Sequence, residues 1–398
     1  MMTRSVILGG ARTPVAKING TLASKTAVEL GAIAIEGALD RAGVAPDEVE
    51  HVIMGQVLQG GAGQIPSRQA QLLVGIPRTV TSETINRVCG SGLRAVTLAD
   101  TLIKAEGYDV IVAGGMESMS QAPYIVRNAR GGMRMGNGVF EDMMMTDGLF
   151  CALDQVQMGL HGDNVAAENE VSREEQDAWA LRSHQRAAAA QDACYLSAEI
   201  VPVEIKTKKE TIVVDKDDAI RRDTSLEALA KLKPAFKEGG TVTAGNAPGV
   251  NDGAGAFVVT SESWAQEHEH EPIARILAHG AAAWDPPYLA YTPQMAADIA
   301  LKKAGLTIAD IDLVEINEAF ANVALIASRR LGVSEDIVNV NGGAVALGHP
   351  LAGTGPRILL TLIYELRRRG GGIGLAGICS GGGQGDAIIV EVPGAKHA

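Results

Sequence analysis

Apolar and polar positions fall into the same pattern twice along this chain. Residues 33–55 read IAIEGALDRAGVAPDEVEHVIMG, and residues 295–317 read MAADIALKKAGLTIADIDLVEIN. Shifted by 262 positions they align without a gap, with Ala38 on Ala300, Leu39 on Leu301 and Ala42-Gly43 on Ala304-Gly305. Each stretch predicts an amphipathic helix, a glycine stop and a short apolar strand. A second pair follows: VTLADTLIKAEGYDVIVAGG at 96–115 and LTLIYELRRRGGGIGLAGIC at 360–379. It too predicts a helix passing through a glycine turn into a strand. Short apolar strands alternating with helices predict an α/β fold with parallel, doubly covered sheets. The period far exceeds the 20–50 residues of a solenoid, so the pattern is that of a duplicated domain.

The segment 121–248 has a different character. It opens with a glycine-, arginine- and methionine-rich run from Arg127 to Gly138, followed by Met143-Met144-Met145. A polar helix is expected around 172–192, and a charged stretch covers 204–223. The segment therefore reads as a loop-rich, partly helical insertion. Its methionines suit either an adaptable contact surface or ordinary burial. The division expected is 1–120 plus 249–271 for the first half, 121–248 for the insertion and 272–398 for the second half.

Composition narrows the picture. The chain has 398 residues, too many for one ordinary core, and 46% are apolar. Aromatic residues make up only 4%, which favours tightly packed α/β layers over an aromatic-rich sandwich. The net charge of −12 argues against a general nucleic-acid binder, yet leaves room for an anionic small molecule at a local cationic patch. Cys89, Cys151, Cys194 and Cys379 form no CxxC pair, which fits a reducing compartment. No signal-peptide core and no apolar run of about 18–20 residues is present, so a soluble cytoplasmic protein without a membrane partner is expected.

Chemistry concentrates around glycine. Cys89 lies in Asn86-Arg-Val-Cys-Gly-Ser-Gly92, ahead of an amphipathic helix. A helix start stabilises a thiolate and lowers the thiol pKa, so Cys89 reads as a nucleophile, with a buried structural cysteine as the alternative. His349 lies in Asn339-Val-Asn-Gly-Gly-Ala-Val-Ala-Leu-Gly-His-Pro350. An exposed histidine after a strand end is expected there, suited to general-base work, with a core or turn role as the alternative. Asn317 and Glu318 directly follow the strand ending at Ile316, at the carboxyl end of a sheet where α/β ligand sites form. Asn317 is also placed to cap the helix that follows. Cys379 precedes Gly381-Gly382-Gly383, whose N–H groups suit an anion or oxyanion nest. His268 and His270 read as solvated, and His161 and His184 have no partners evident in the sequence. There is no dinucleotide fingerprint and no metal signature such as HExxH or spaced Cys/His ligands.

Taken together, NRVCGSGLRAV, VAGGMESMS, TVTAGNAPGVNDGAGA, EINEAFA, NVNGGAVALGHP and CSGGGQGDA resemble the thiolase family from end to end. The resemblance implies two βαβαβαββ-type halves packed as an α-β-α-β-α sandwich, with a loop domain inserted in the first half. It implies an acyltransferase that cleaves 3-ketoacyl-CoA with coenzyme A, or condenses two acetyl-CoA in reverse, through an acyl-enzyme on Cys89. His349 would take the Cys89 proton, and Cys379 would act as acid and base toward the substrate α-carbon and coenzyme A. Asn317 would hold a water that forms an enolate oxyanion hole with His349. The N–H groups of Cys89 and Gly381 would form the second hole.

The same resemblance places Arg221, Pro248, Gln157, Met158, Phe236, Phe320 and Leu289 around the acyl and coenzyme A groups. A solvated surface role is the alternative for Arg221. It implies no metal and no resident cofactor, coenzyme A being a substrate, and a homodimer or homotetramer in fatty-acid metabolism such as β-oxidation. Some positions depart from the family pattern. Gln157 stands where a histidine is usual in the acetoacetyl-CoA branch, Pro248 where a serine is usual and Ala352 where a glycine is usual, while Leu289–Pro293 replaces a GTGP-like turn. All are expected to touch the acyl or pantetheine pocket and to bear on chain length and branching. A thiolase-like carrier or scaffold without catalysis is a second reading, argued against by the intact Cys89, His349, Asn317 and Cys379. A condensing enzyme of fatty-acid or polyketide synthesis is a third, argued against by the second cysteine and the long insertion.

Overall fold

The structure, a computed structural model, describes residues 4–394. Its main strands are β1 (Ser5–Arg12), β2 (His51–Gly55), β3 (Thr81–Ile85), β4 (Val110–Ser118), β5 (Asn251–Ser261), β6 (Ala274–Ala283), β7 (Leu313–Ile316), β8 (Gly372–Ser380) and β9 (Gln384–Val392). The helices that matter here are α1 (Ala27–Ala42), α2 (Ser91–Glu106), α3 (Met158–Glu168), α4 (Arg173–Asp192), α5 (Thr292–Ala304), α6 (Ala321–Leu331), α7 (Ala344–Leu347) and α8 (Leu351–Arg368).

The glycine stops fall where the repeat places them. Helices α1, α2 and α5 end on Gly43, Gly107 and Gly305, with φ of 65°, 77° and 69°. These are left-handed conformations in which any residue with a Cβ is strained. Helix α1 begins with a capping box: Thr26 Oγ1 accepts the Glu29 N–H at 3.2 Å, and Glu29 accepts the Thr26 N–H at 2.8 Å.

Strand order runs β7-β8-β9-β6-β1-β5-β4-β2-β3, so each half repeats one topology. The pairs β2–β4, β2–β3 and β7–β8 are parallel, while β1–β5, β5–β4, β6–β9 and β8–β9 are antiparallel. The expectation of all-parallel sheets is thus corrected: the strand closing each half returns antiparallel beside its first. The fifth strand of the second half is reduced to one bridge, Val338 to Val314. A short pairing of Val6 and Ile7 with Arg275 and Ala274 joins the two halves.

Three apolar clusters show the layering. One packs α1 against the first half, one packs α5 and α6 against the second, and the third fills the space around α2 and α8 between the sheets. This is the α-β-α-β-α order of the sequence reading. The polar helix expected around 172–192 is α4, capped by Ser172. Met143 is buried, whereas Met145 lines the main cavity, so the methionine run divides between the two roles foreseen.

Candidate active site

Cys89 stands two residues ahead of α2, and His349 stands two residues ahead of α8. The duplication therefore delivers a thiol from one half and an imidazole from the other to the layer between the sheets. Cys379, the second-last residue of β8, completes the group. All three line one cavity of about 970 Å³, mouth included.

The Cys89 turn is tightly made. β3 runs into Asn86, whose Oδ1 accepts the Val88 N–H at 2.9 Å. Ser91 Oγ accepts the Arg87 N–H at 2.8 Å and donates to Val88 O at 2.6 Å. Val88 has φ 45°, a strained value for a β-branched residue, and it turns the chain so that Cys89 faces the cavity. The second half grips this turn: Ser380 Oγ donates to Arg87 O at 2.5 Å, and Arg87 pairs with Asp386 at 2.6 Å.

The Cys89 thiol is pushed up to about 12, because burial penalises the thiolate more than the N–H groups of Gly381 and Cys89 favour it. The expectation of a lowered pKa is corrected. A helix start is present, but desolvation by the surrounding protein outweighs it. Cys379 is 1% exposed and is raised by burial and then by the neighbouring Cys89 charge. Gly382 and Gly383 have φ of 75° and 68°, left-handed values that favour glycine, and of the three glycines Gly381 lines the cavity.

His349 is 7% exposed and follows the single-turn helix α7. The expectation of an exposed residue after a strand end is corrected, because only the Val338 bridge remains of that strand. Gly348 has φ 105°, and a Cβ there would meet the Asn251 amide at 2.6 Å. That close approach lets Asn251 Oδ1 accept the His349 N–H at 2.9 Å. Nδ1 lies 2.6 Å from Thr354 Oγ1, while Nε2 has no hydrogen-bond partner. Burial, with Arg357 nearby, pushes the imidazole down to about 3, so it is neutral.

Asn317 is fully buried, and neither atom of its amide has a hydrogen-bond partner. It does not cap α6, whose N-cap is Phe320. It does not line the cavity, although Ala319 and Phe320, two and three residues further on, do. Glu318 holds the loop leading to His349, accepting from Trp179 Nε1, Ser183 Oγ, Asn339 Nδ2 and the Val345 N–H at 2.8–2.9 Å.

Gln157, Met158, Phe236, Pro248, Leu289 and Phe320 all line the cavity. Arg221 does not: it is exposed, and its guanidinium donates to Ala244 O at 3.2 Å. Ala352 does not line it either. It is buried under Glu117, which accepts its N–H at 3.3 Å, so its expected place in the pocket is corrected. Two histidines read as partnerless have neighbours. His161 Nε2 is 3.0 Å from Asp154, and His184 Nδ1 accepts the Arg221 N–H at 3.1 Å. His268 is exposed as expected, but it stacks on Trp264, as does the less exposed His270.

Four supporting residues escaped the sequence reading: Thr354, Asn251, Ser380 and Glu117. The last is fully buried, accepts N–H groups from Val57, Leu58 and Ala352, and is pushed up to about 7 by burial.

Comparison with known proteins identifies the family. The model of the thiolase N-terminal domain matches residues 5–263, and that of the C-terminal domain matches residues 270–392. The chain therefore belongs to the thiolase family of acyltransferases. An acetyl-CoA acetyltransferase of Chromobacterium violaceum is 48% identical over 388 residues, covering 97% of this chain and 99% of that protein. The acetyl-CoA acetyltransferase of Escherichia coli is 47% identical over 391 residues, covering 98% and 99%. The crystal structure of human mitochondrial 3-ketoacyl-CoA thiolase matches with a TM-score of 0.95 at 44% identity, covering 98% of this chain and 99% of that one.

Proposed function

We propose that this thiolase cleaves 3-ketoacyl-CoA with coenzyme A, and runs the reverse condensation, with Cys89, His349, Cys379 and Asn317 as its working groups. The observation that carries this reading is the convergence of two thiols and a neutral imidazole on one apolar cavity. His349 takes the Cys89 proton on Nε2 as sulfur attacks the 3-keto carbon. The bond between C2 and C3 breaks, leaving the acyl group on Cys89 and an acetyl-CoA enolate that Cys379 protonates. The thiol of coenzyme A then attacks the acyl-enzyme, and Cys89 leaves as the thiol.

Buried charge is costly here, as the shifted cysteines and histidine show, so donors must meet each oxyanion as it forms. The Cys89 and Gly381 N–H groups serve the tetrahedral intermediate. His349 and a water held by the unpartnered Asn317 amide serve the enolate. One such donor is worth about 3–4 kcal/mol. The acyl group travels on Cys89, so the cycle needs no resident cofactor.

The apolar wall of Met119, Met145, Leu149, Met158, Phe236 and Phe320 supports acyl groups beyond acetyl. Arg221, exposed and outside the cavity, would suit the far, nucleotide end of coenzyme A or solvent alone. Exposed Tyr124, Met135, Val139 and Phe140 in the insertion support association into a homodimer or homotetramer. All four cysteines are free, and no helix among the described residues is long and apolar enough to cross a membrane. The free cysteines support a cytoplasmic setting, and the apolar acyl cavity supports a part in fatty-acid β-oxidation.

The test is coenzyme-A-dependent loss of 3-ketoacyl-CoA over a chain-length series. Turnover with none of the series, acetoacetyl-CoA included, defeats the proposal.

A further inference from the structure

Three side chains outside this chemistry converge behind the cavity wall. Phe150–Cys151 and Val156–Gln157 form a hairpin, with Phe150 paired to Gln157 and Cys151 to Val156. The connecting turn closes when the Gln155 N–H donates to Cys151 O at 2.8 Å, with Gln155 at φ 57°. Asp154 sits in this turn, and His161 follows in the opening turn of α3. One donor atom each from Cys151, Asp154 and His161 lies within 4.8 Å of the others.

We propose that Cys151, Asp154 and His161 form a binding site for a divalent transition ion of the zinc type. Cys151 and His161 are 3% and 2% exposed, so both donors are held inside the fold. Neither nitrogen of His161 has a hydrogen-bond partner, although Nε2 is 3.0 Å from Asp154 Oδ2. The two groups are close without being aligned as donor and acceptor, as two ligands facing a common point are. His161 is itself buried, and two unmade ring nitrogens in the interior are costly, which an ion between the groups would relieve.

Sulfur, imidazole nitrogen and carboxylate oxygen together suit zinc, whereas magnesium and calcium prefer oxygen alone. A tetrahedral zinc with bonds of about 2.0–2.3 Å has ligand–ligand edges of about 3.2–3.6 Å. Donors up to 4.8 Å apart need to close by about 1.2–1.6 Å at most. The Asp154 side chain is 38% exposed and gives an ion a way in. Three protein ligands leave a fourth position for water or another donor.

The sequence hid this site because Cys-x2-Asp-x6-His matches no familiar ligand spacing. Its location gives it a consequence for the cavity. Leu149 on one side of the hairpin, and Gln157 and Met158 on the other, line the acyl cavity. An ion at this point ties the hairpin to α3 and stiffens that wall.

The test uses the full chain carrying Cys89→Ser and Cys379→Ser, so that the cavity thiols do not compete. The metal-free protein is titrated with Co2+ and then Zn2+. The expected result is stoichiometric Co2+ binding with a sulfur-to-metal charge-transfer band, proton release from Cys151, displacement by Zn2+ and a zinc-dependent rise in Tm. Cys151→Ser abolishes the band, and His161→Gln weakens Co2+ binding by at least about tenfold. Absence of a stoichiometric band in the parent overturns the proposal, as does an unchanged band in Cys151→Ser. Should Cys151→Ser fail to fold, His161→Gln decides, and an affinity matching the parent overturns it.

Discussion

His349 Nδ1 lies 2.6 Å from Thr354 Oγ1, in the first turn of α8. Nδ1 is thereby engaged, and Nε2 is left as the nitrogen available to a proton from the cavity. Thr354 is fully buried, so no solvent replaces it if the hydroxyl is removed. Thr354→Val keeps the volume and deletes the contact. It is expected to lower kcat about tenfold, a fraction of the 10²–10⁴ that general acid–base catalysis supplies, with little change in KM. Thr354→Ser restores most of the rate. Steady-state kinetics check this, and an unchanged kcat in the valine variant defeats it.

Cys89 and His349 rest as a neutral pair, the thiol near 12 and the imidazole near 3. Below its pKa a thiol gains thiolate tenfold for each pH unit, so reactivity rises with pH. Alkylation of Cys89 by iodoacetamide in the free enzyme should therefore climb about tenfold per unit from pH 7 to 9, without a plateau. Mass spectrometry of the Cys89 peptide measures the rate. A plateau beginning below pH 8 would show a preformed thiolate, and the helix-start argument would then outweigh burial after all.

The duplicated frame was legible because helix, glycine stop and strand leave a periodic mark in each half. The site was legible in part for the same reason: glycines flank Cys89, Cys379 and His349 wherever backbone and side chains crowd. What escaped depends on distance in space. Thr354 looks like any helix residue, and Ser380 gains meaning only once its hydroxyl meets Arg87 O across the halves. The burial of His349 and the high pKa of Cys89 come from protein packed around them, which local sequence does not reveal. Cys151, Asp154 and His161 meet only because a hairpin folds back beside a helix start.

Glu318 gathers four donors inside the protein, two from α4, one from Asn339 and one from α7, just ahead of His349. Glu318→Ala leaves Trp179, Ser183, Asn339 and the Val345 N–H without their acceptor. Each buried unsatisfied group costs about 1–3 kcal/mol, partly recovered where water enters. A net loss of about 3–5 kcal/mol is expected, with a smaller loss for Glu318→Gln, which keeps one acceptor oxygen. Urea unfolding measures both. A loss under about 1 kcal/mol in the alanine variant would mean that the network is not what holds the loop.

Leu149 and Met119 join Leu351 in the apolar cluster that packs beside Cys89, and all three line the cavity. On the proposed mechanism the acyl group is carried on the Cys89 sulfur, which packs against this cluster. Leu149→Trp adds bulk there while leaving Cys89, His349, Cys379 and Asn317 unchanged. Each methylene excluded from an apolar pocket is worth roughly 1–3 kcal/mol, so chains only a few carbons longer should suffer strongly. The expected outcome is a fall of at least about tenfold in kcat/KM for longer 3-ketoacyl-CoA substrates, against a change of no more than about threefold for acetoacetyl-CoA. A chain-length series on the wild type and variant measures this. Equal losses across the series would place the acyl chain elsewhere in the cavity and remove Leu149 from the specificity of the enzyme.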